Sequence, residues 1–193
     1  MPLPLKLALE IVVVLASLVF GAALGIVASR RFALAAAGFA AFGVLGFAAA
    51  LVAMLELTHV DGLGSLIAVA FTVLVGAVSF AGSAITFAKL QELMPTRPIV
   101  FPGAPVVITL VALGAVASAV WLALTGDVLA SYVLLALGTA LGVLVVLPVG
   151  GADVPIVISL LNAFTGLTVA ASGFVLDNVL LLVAGTLVGA SGT

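Results

Sequence analysis

The feature that most constrains this chain is the continuity of its apolar stretches. A helix needs roughly 20 apolar residues to cross the ~30 Å hydrocarbon core of a bilayer. Seven stretches are candidates for that task, at residues 6–29, 32–55, 63–90, 104–125, 128–148, 154–175 and 178–192. Inside lipid every backbone N–H and C=O must be paired within the protein, so only helices and closed barrels can cross. A barrel strand would alternate apolar and polar residues over about 10 positions, and these stretches do not alternate. The expected fold class is therefore all-α: a polytopic integral membrane helical bundle with about seven transmembrane helices. It forms a single transmembrane domain over residues 1–193, in contact with the lipid bilayer. Only 6% of the residues are charged and 66% are hydrophobic, where a soluble domain carries about 25% charge. The opening MPLPLK and the apolar run behind it read as a retained first span rather than a cleaved signal.

Composition excludes several chemistries. The chain has no cysteine, hence no disulfide framework, thiolate chemistry or cysteine metal site. One histidine and seven acidic residues, all near span ends or in connections, leave little for a metal site. The net charge of −2 and the lack of a basic cluster give no footprint for nucleic acid.

Charge predicts the orientation. The first, third and fifth connections carry Arg30, Arg31, Lys89 and Arg97, while Lys6 is the sole basic residue on the other side. The positive-inside rule then puts connections 1, 3 and 5 and the C-terminus in the cytoplasm. Glu56, His59, Asp61, Asp127 and Asp177 fall on the opposite side. The longest connection, Gln91 to Gly103, holds Pro95, Pro98 and Pro102 and should be irregular. Trp121 and Tyr132 sit where interfacial aromatics belong.

Within the spans, small and polar residues mark the faces that matter. Gly-x-x-x-Gly recurs at Gly21/Gly25, Gly138/Gly142 and Gly185/Gly189, a spacing that lets backbones approach closely. Thr72, Gly76, Ser79, Ser83 and Thr86 form one continuous helix face. Such a stripe either packs against a neighbour or lines a wet path, since hydroxyls can bond their own i−4 carbonyls. Asn162 lies inside an apolar span, with Ser159 and Gly166 on its face. Its amide both donates and accepts, so it either fixes helix register through an interhelical bond or holds water. Asp153, just ahead of Pro155, stands where a carboxylate favours a helix N-terminus through the dipole.

Three ordered motifs carry a resemblance: GAVSFAGSAITFAKLQ with the RPIVFPG that follows it, GGADVPIVISLLNAFTG, and VAGTLVGASG. From about residue 63 onward the chain resembles the transmembrane domain of the beta subunit of proton-translocating NAD(P) transhydrogenase. The resemblance implies a proton channel lined by Asn162 and Ser83, with Ser79 and Ser159 beside them. It places Asp153 at the cytoplasmic mouth, and Gly192 and Gly189 where the last helix joins an NADP-binding domain. It implies a bacterial inner membrane and a homodimer of assembled protomers. NAD and NADP would be bound by the alpha subunit and the NADP-binding domain, not by this chain. No Gly-rich strand–turn–helix unit for a dinucleotide is present in the sequence, so this polypeptide alone is not expected to transfer hydride. The family carries a His or Asn on the second of these helices, and alignment puts Gly43 there, leaving no titratable group in the middle of any span. The alternative readings are a non-catalytic membrane scaffold or degenerate relative without proton conduction, and a small transporter. The last would need a midplane substrate site that the sequence does not offer.

Overall fold

A computed structural model describes residues 33–60 and 62–191. Six α-helices follow one another: α1 Ala33–Glu56, α2 Leu63–Leu90, α3 Ala104–Thr125, α4 Val128–Val146, α5 Val154–Val175 and α6 Val179–Ser191. Short 3₁₀ turns, Leu57–His59 and Gly151–Asp153, follow α1 and precede α5. The expected span at residues 6–29, with Gly21, Gly25, Arg30 and Arg31, lies outside the described residues, as do Asp61 and Gly192.

Among the described residues, four helices are long and apolar enough to cross a membrane: α2, α3, α4, and α5 with the turn before it. Helix α6 has 13 residues, about 20 Å at 1.5 Å per residue, which is short of a full hydrocarbon core. The structure thus supports a helical membrane bundle without establishing a count of seven spans. Local sequence sets the helix ends. Gly103 (φ 84°) and Gly126 (φ 63°) bracket α3 in the left-handed region, which L side chains rarely adopt. Pro105 occupies the first turn of α3, where a missing N–H is harmless. Asp127 caps α4 by accepting from Leu129 N at 2.9 Å, and Asn178 caps α6 through Leu180 N and Leu181 N at 3.1 and 3.2 Å. Helix α4 ends at Val146, two residues before the 148 expected from hydropathy. Pro148 has no N–H to extend the ladder.

Helix α2 is the axis, packed against α1, α3, α4 and α5, while α6 lies on α5. Close backbone approach makes these contacts. A methyl group on Gly142 would run into Val78 O of α2, and one on Gly138 would lie 3.0 Å from Ala77 Cβ and 3.1 Å from Leu74 O. One on Gly76 would meet Gly46 O of α1. Methyls on Gly166 and Gly185 would meet the backbone N atoms of Gly189 and Ala170 across the α5–α6 seam. Toward the α1–α2 turn, a larger apolar cluster of Leu57, Val69, Val73, Leu122, Ala130 and Leu134 fills the space among α1 to α4. Helix α3 turns Val106, Leu110, Leu113, Val116, Val120 and Leu124 outward, the face expected to meet lipid.

The glycine seams predict opposite signs for two alanine substitutions. Gly185→Ala forces α5 and α6 apart and should cost about 1–3 kcal/mol. Gly114→Ala places its methyl 3.5 Å from Leu137 and should stabilise by up to about 1 kcal/mol through helix propensity. Thermal unfolding of both variants in detergent checks the pair.

Candidate functional site

The hydroxyl stripe of α2 separates into residues that look inward to their own helix and residues that do not. Thr72 donates to Ala68 O at 2.7 Å and Thr86 to Gly82 O at 2.8 Å. Both have spent their donor within α2. Ser79 crosses to α5, where its hydroxyl lies 3.0 Å from Leu161 O and 2.6 Å from Thr165 Oγ1. Thr165 Oγ1 lies in turn 3.0 Å from Leu161 O. Two hydroxyl protons serve three contacts here, so one hydroxyl donates to the other and the second to Leu161 O, and the cluster pins α2 to α5. Ser83 is 2% exposed, and its hydroxyl has no partner among the described residues.

The wall opposite Ser83 is Gly43 of α1. A methyl on Gly43 would sit 2.7 Å from Ser83 Cβ and 2.9 Å from Ser83 Oγ. The missing side chain therefore brings α1 directly against Ser83; it does not leave a cavity on that side. The helices α1 and α5 run in the same direction, and a methyl on Gly46 would touch Thr165 at 3.5 Å. Three residues back along each helix, Gly43 and Asn162 fall at one depth. Gly43, Ser83 and Asn162 thus occupy one layer, next to the Ser79–Thr165 layer. Asn162 is half-buried and makes no hydrogen bond among the described residues. It stands one turn before Gly166, the residue that meets Gly189, so it also approaches the C-terminal part of α6.

The other sequence-picked residues lie around this layer. Ser159 is exposed on α5, one turn before Asn162. Asp153 is exposed at the start of α5, and its carboxylate makes no capping bond, unlike Asp127 and Asn178. It sits about 14 Å along the helix from Asn162. Gly189 is buried at the α5–α6 seam. His59 is exposed beside Thr58, with its Nδ1 3.1 Å from the Thr58 hydroxyl. Among the described residues no group of His, Cys, Asp and Glu could hold a metal ion.

Sequence reasoning missed the work of Lys89. Counted there among the basic residues of a connection, it is 1% exposed. Its Nζ donates to Val146 O, Leu147 O and Val149 O at 3.0, 2.6 and 2.8 Å. Two further bonds tie the proline-rich connection to the same place: Ile99 N to Leu147 O at 3.1 Å and Gly151 N to Thr96 O at 3.0 Å. The available signal was one cation inside the last turn of an otherwise apolar helix, where burial demands full hydrogen bonding.

Residues 4–193 match the family model described as NAD(P) transhydrogenase beta subunit. Two curated proteins from Rhodospirillum rubrum, one of them assigned to a specific strain, are both named NAD(P) transhydrogenase subunit beta. Each is 41% identical over 129 residues, covering 67% of this chain and 28% of the relative. The chain therefore matches little more than a quarter of the length of those relatives. With a family match along nearly its whole length and apolar helices suited to a membrane, the chain belongs to the NAD(P) transhydrogenase beta subunit family.

Proposed function

We propose that this chain is the transmembrane proton-channel module of a proton-translocating NAD(P) transhydrogenase. In this reading proton movement through the bundle is coupled to hydride transfer from NADH to NADP⁺ in partner soluble domains. The chain binds neither nucleotide itself; the alpha subunit and an NADP-binding domain supply those sites. The assembly is a homodimer of such protomers in a bacterial inner membrane, with the C-terminus and the first, third and fifth connections cytoplasmic.

The observation that carries the reading is the layer of Gly43, Ser83 and Asn162. Ser83 and Asn162 bring polar groups into the bundle without partners among the described residues. An unpaired polar group costs heavily in a dry interior, so such groups fit a place where water enters. An amide that donates and accepts can hold both sides of a water chain without taking the proton. Asp153 would gather protons at the cytoplasmic mouth, and Ser159 lies between mouth and layer. Ser79, already bonded to α5, borders the path and fixes its geometry.

The close Gly43–Ser83 contact makes the path shut in this arrangement. Conduction then requires α1 to move off Ser83 and admit water. Coupling follows if the NADP-binding domain favours one of the two packings, since a partner shifts an equilibrium only through differential contacts. Gly189 and Gly192 would form the joint through which that preference reaches α5.

Two outcomes test the proposal in the complete transhydrogenase, reconstituted in liposomes with a pH dye inside. Asn162→Ala should lower proton uptake per hydride transferred by at least about tenfold, the scale set by losing an aligned group in a transfer path. Unchanged uptake would assign the chain to a scaffold instead. In the same assay Ser83→Ala should reduce uptake, whereas Thr72→Val and Thr86→Val, which lose only bonds internal to α2, should leave it as in the parent protein.

A further inference from the structure

The buried amine of Lys89 has no part in the path described above, and its surroundings give it a specific task. An ammonium has three N–H donors, and all three have carbonyl acceptors. These acceptors lie within four residues of the chain as α4 ends: Val146 O, Leu147 O and Val149 O, at 3.0, 2.6 and 2.8 Å. A helix C-terminus leaves its last carbonyls without intrahelical partners, and a cation there is favoured by the dipole. Pro148 deprives the corner of one N–H donor. The side chain reaches this point from α2, the helix that carries Ser79 and Ser83.

We propose that Lys89 is the positioning residue of the α4–α5 corner. Its ammonium gathers the carbonyls of Val146, Leu147 and Val149 and so fixes where α5, with Asp153 and Asn162, begins relative to α2. The effect on coupling rests on the proton-channel reading; the positioning itself does not. The corner is only seven residues long, from Leu147 to Asp153, so a shift at Val149 has little slack before it reaches α5. The Leu147 carbonyl also accepts from Ile99 N, and Thr96 O accepts from Gly151 N. Lys89 thus sits at the junction of three segments: the end of α2, the proline-rich connection and the corner.

Removing the amine should loosen that junction, and the chain's lack of cysteine allows this to be read directly. A Cβ at position 151 would lie 3.6 Å from Thr96 Cβ, inside the disulfide range of about 3.5–4.5 Å. The pair Thr96→Cys and Gly151→Cys is placed in the complete transhydrogenase, and the bridge within this chain is followed by mass spectrometry during mild oxidation. Lys89→Ala should slow bridge formation about tenfold, the scale of losing charge-assisted hydrogen bonds. n-Propylammonium, which replaces the deleted part of the side chain, should restore the rate, and sodium should not. In the same complex without the cysteines, Lys89→Ala should lower proton uptake per hydride transferred, and propylammonium should restore that ratio too.

An equal bridging rate with and without Lys89 would overturn the proposal. So would a slowed rate that propylammonium cannot restore, because the side-chain stem rather than the charge would then hold the corner. If Lys89→Ala fails to insert, Lys89→Met keeps the apolar stem and carries the bridging measurement alone: slower bridging supports the proposal, an unchanged rate overturns it. Should the parent complex transfer hydride with no proton uptake, the proton-channel reading fails, while the bridging result still decides the role of Lys89.

Discussion

Everything in this bundle depends on how closely one backbone can approach another. In lipid the apolar side chains gain little by leaving their surroundings, so helices are held by packing and by hydrogen bonds that have no better partner. Helix α2 supplies the site of closest approach for its neighbours. Its Gly76 admits Gly46 O of α1, and its Val78 O is covered by Gly142 of α4. The seam between α5 and α6 repeats the device at Gly166/Gly189 and Gly185/Ala170. Helix α3, with its large residues outward, shows what a helix looks like when only one narrow face is held.

Close approach also decides what each hydroxyl can do. Every threonine within the described α-helices donates to the carbonyl four residues earlier. Threonine's branched Cβ restricts its rotamer in a helix to those that reach that carbonyl. Serine is less restricted, and here it diverges. Ser79 leaves its own helix for Leu161 O, and the buried Ser172 hydroxyl has no partner among the described residues. The stripe on α2 is thus two populations: its threonines donate within the helix, and its serines face a neighbouring helix.

This division explains which parts were legible in the sequence. The apolar runs disclose helices because hydrocarbon permits little else, and glycine and proline at Gly103, Pro105 and Gly126 disclose where α3 stops and starts. The stripe on α2 was legible as a face. Its meaning was not, because the choice between packing and water depends on what stands opposite. Ser79 and Ser83 are one turn apart on the same face, yet one meets Leu161 O and the other meets Gly43. Pairings of that kind belong to the register between helices, which no single helix encodes. The contacts of Lys89 were hidden for the same reason. By position it resembles a topology anchor, and only the carbonyls arriving from α4 make burial tolerable.

The two ends of α5 are held very differently, and that difference bears on how such a module could respond to a partner. Its start follows a corner secured by Lys89 and by two backbone bonds to the proline-rich connection. Its other flank carries α6, a helix of 13 residues that packs chiefly on α5 through glycines. Among the described residues a force applied to α6 acts chiefly on one seam, whereas a force on the corner works against three segments at once. Of the described helices α6 is the one able to shift with least loss of packing, and its movement would be felt first at Gly166 and, one turn away, at Asn162. In the proposed channel, a rigid start and a compliant flank would let a single helix carry a fixed mouth at Asp153 and an adjustable layer at Asn162.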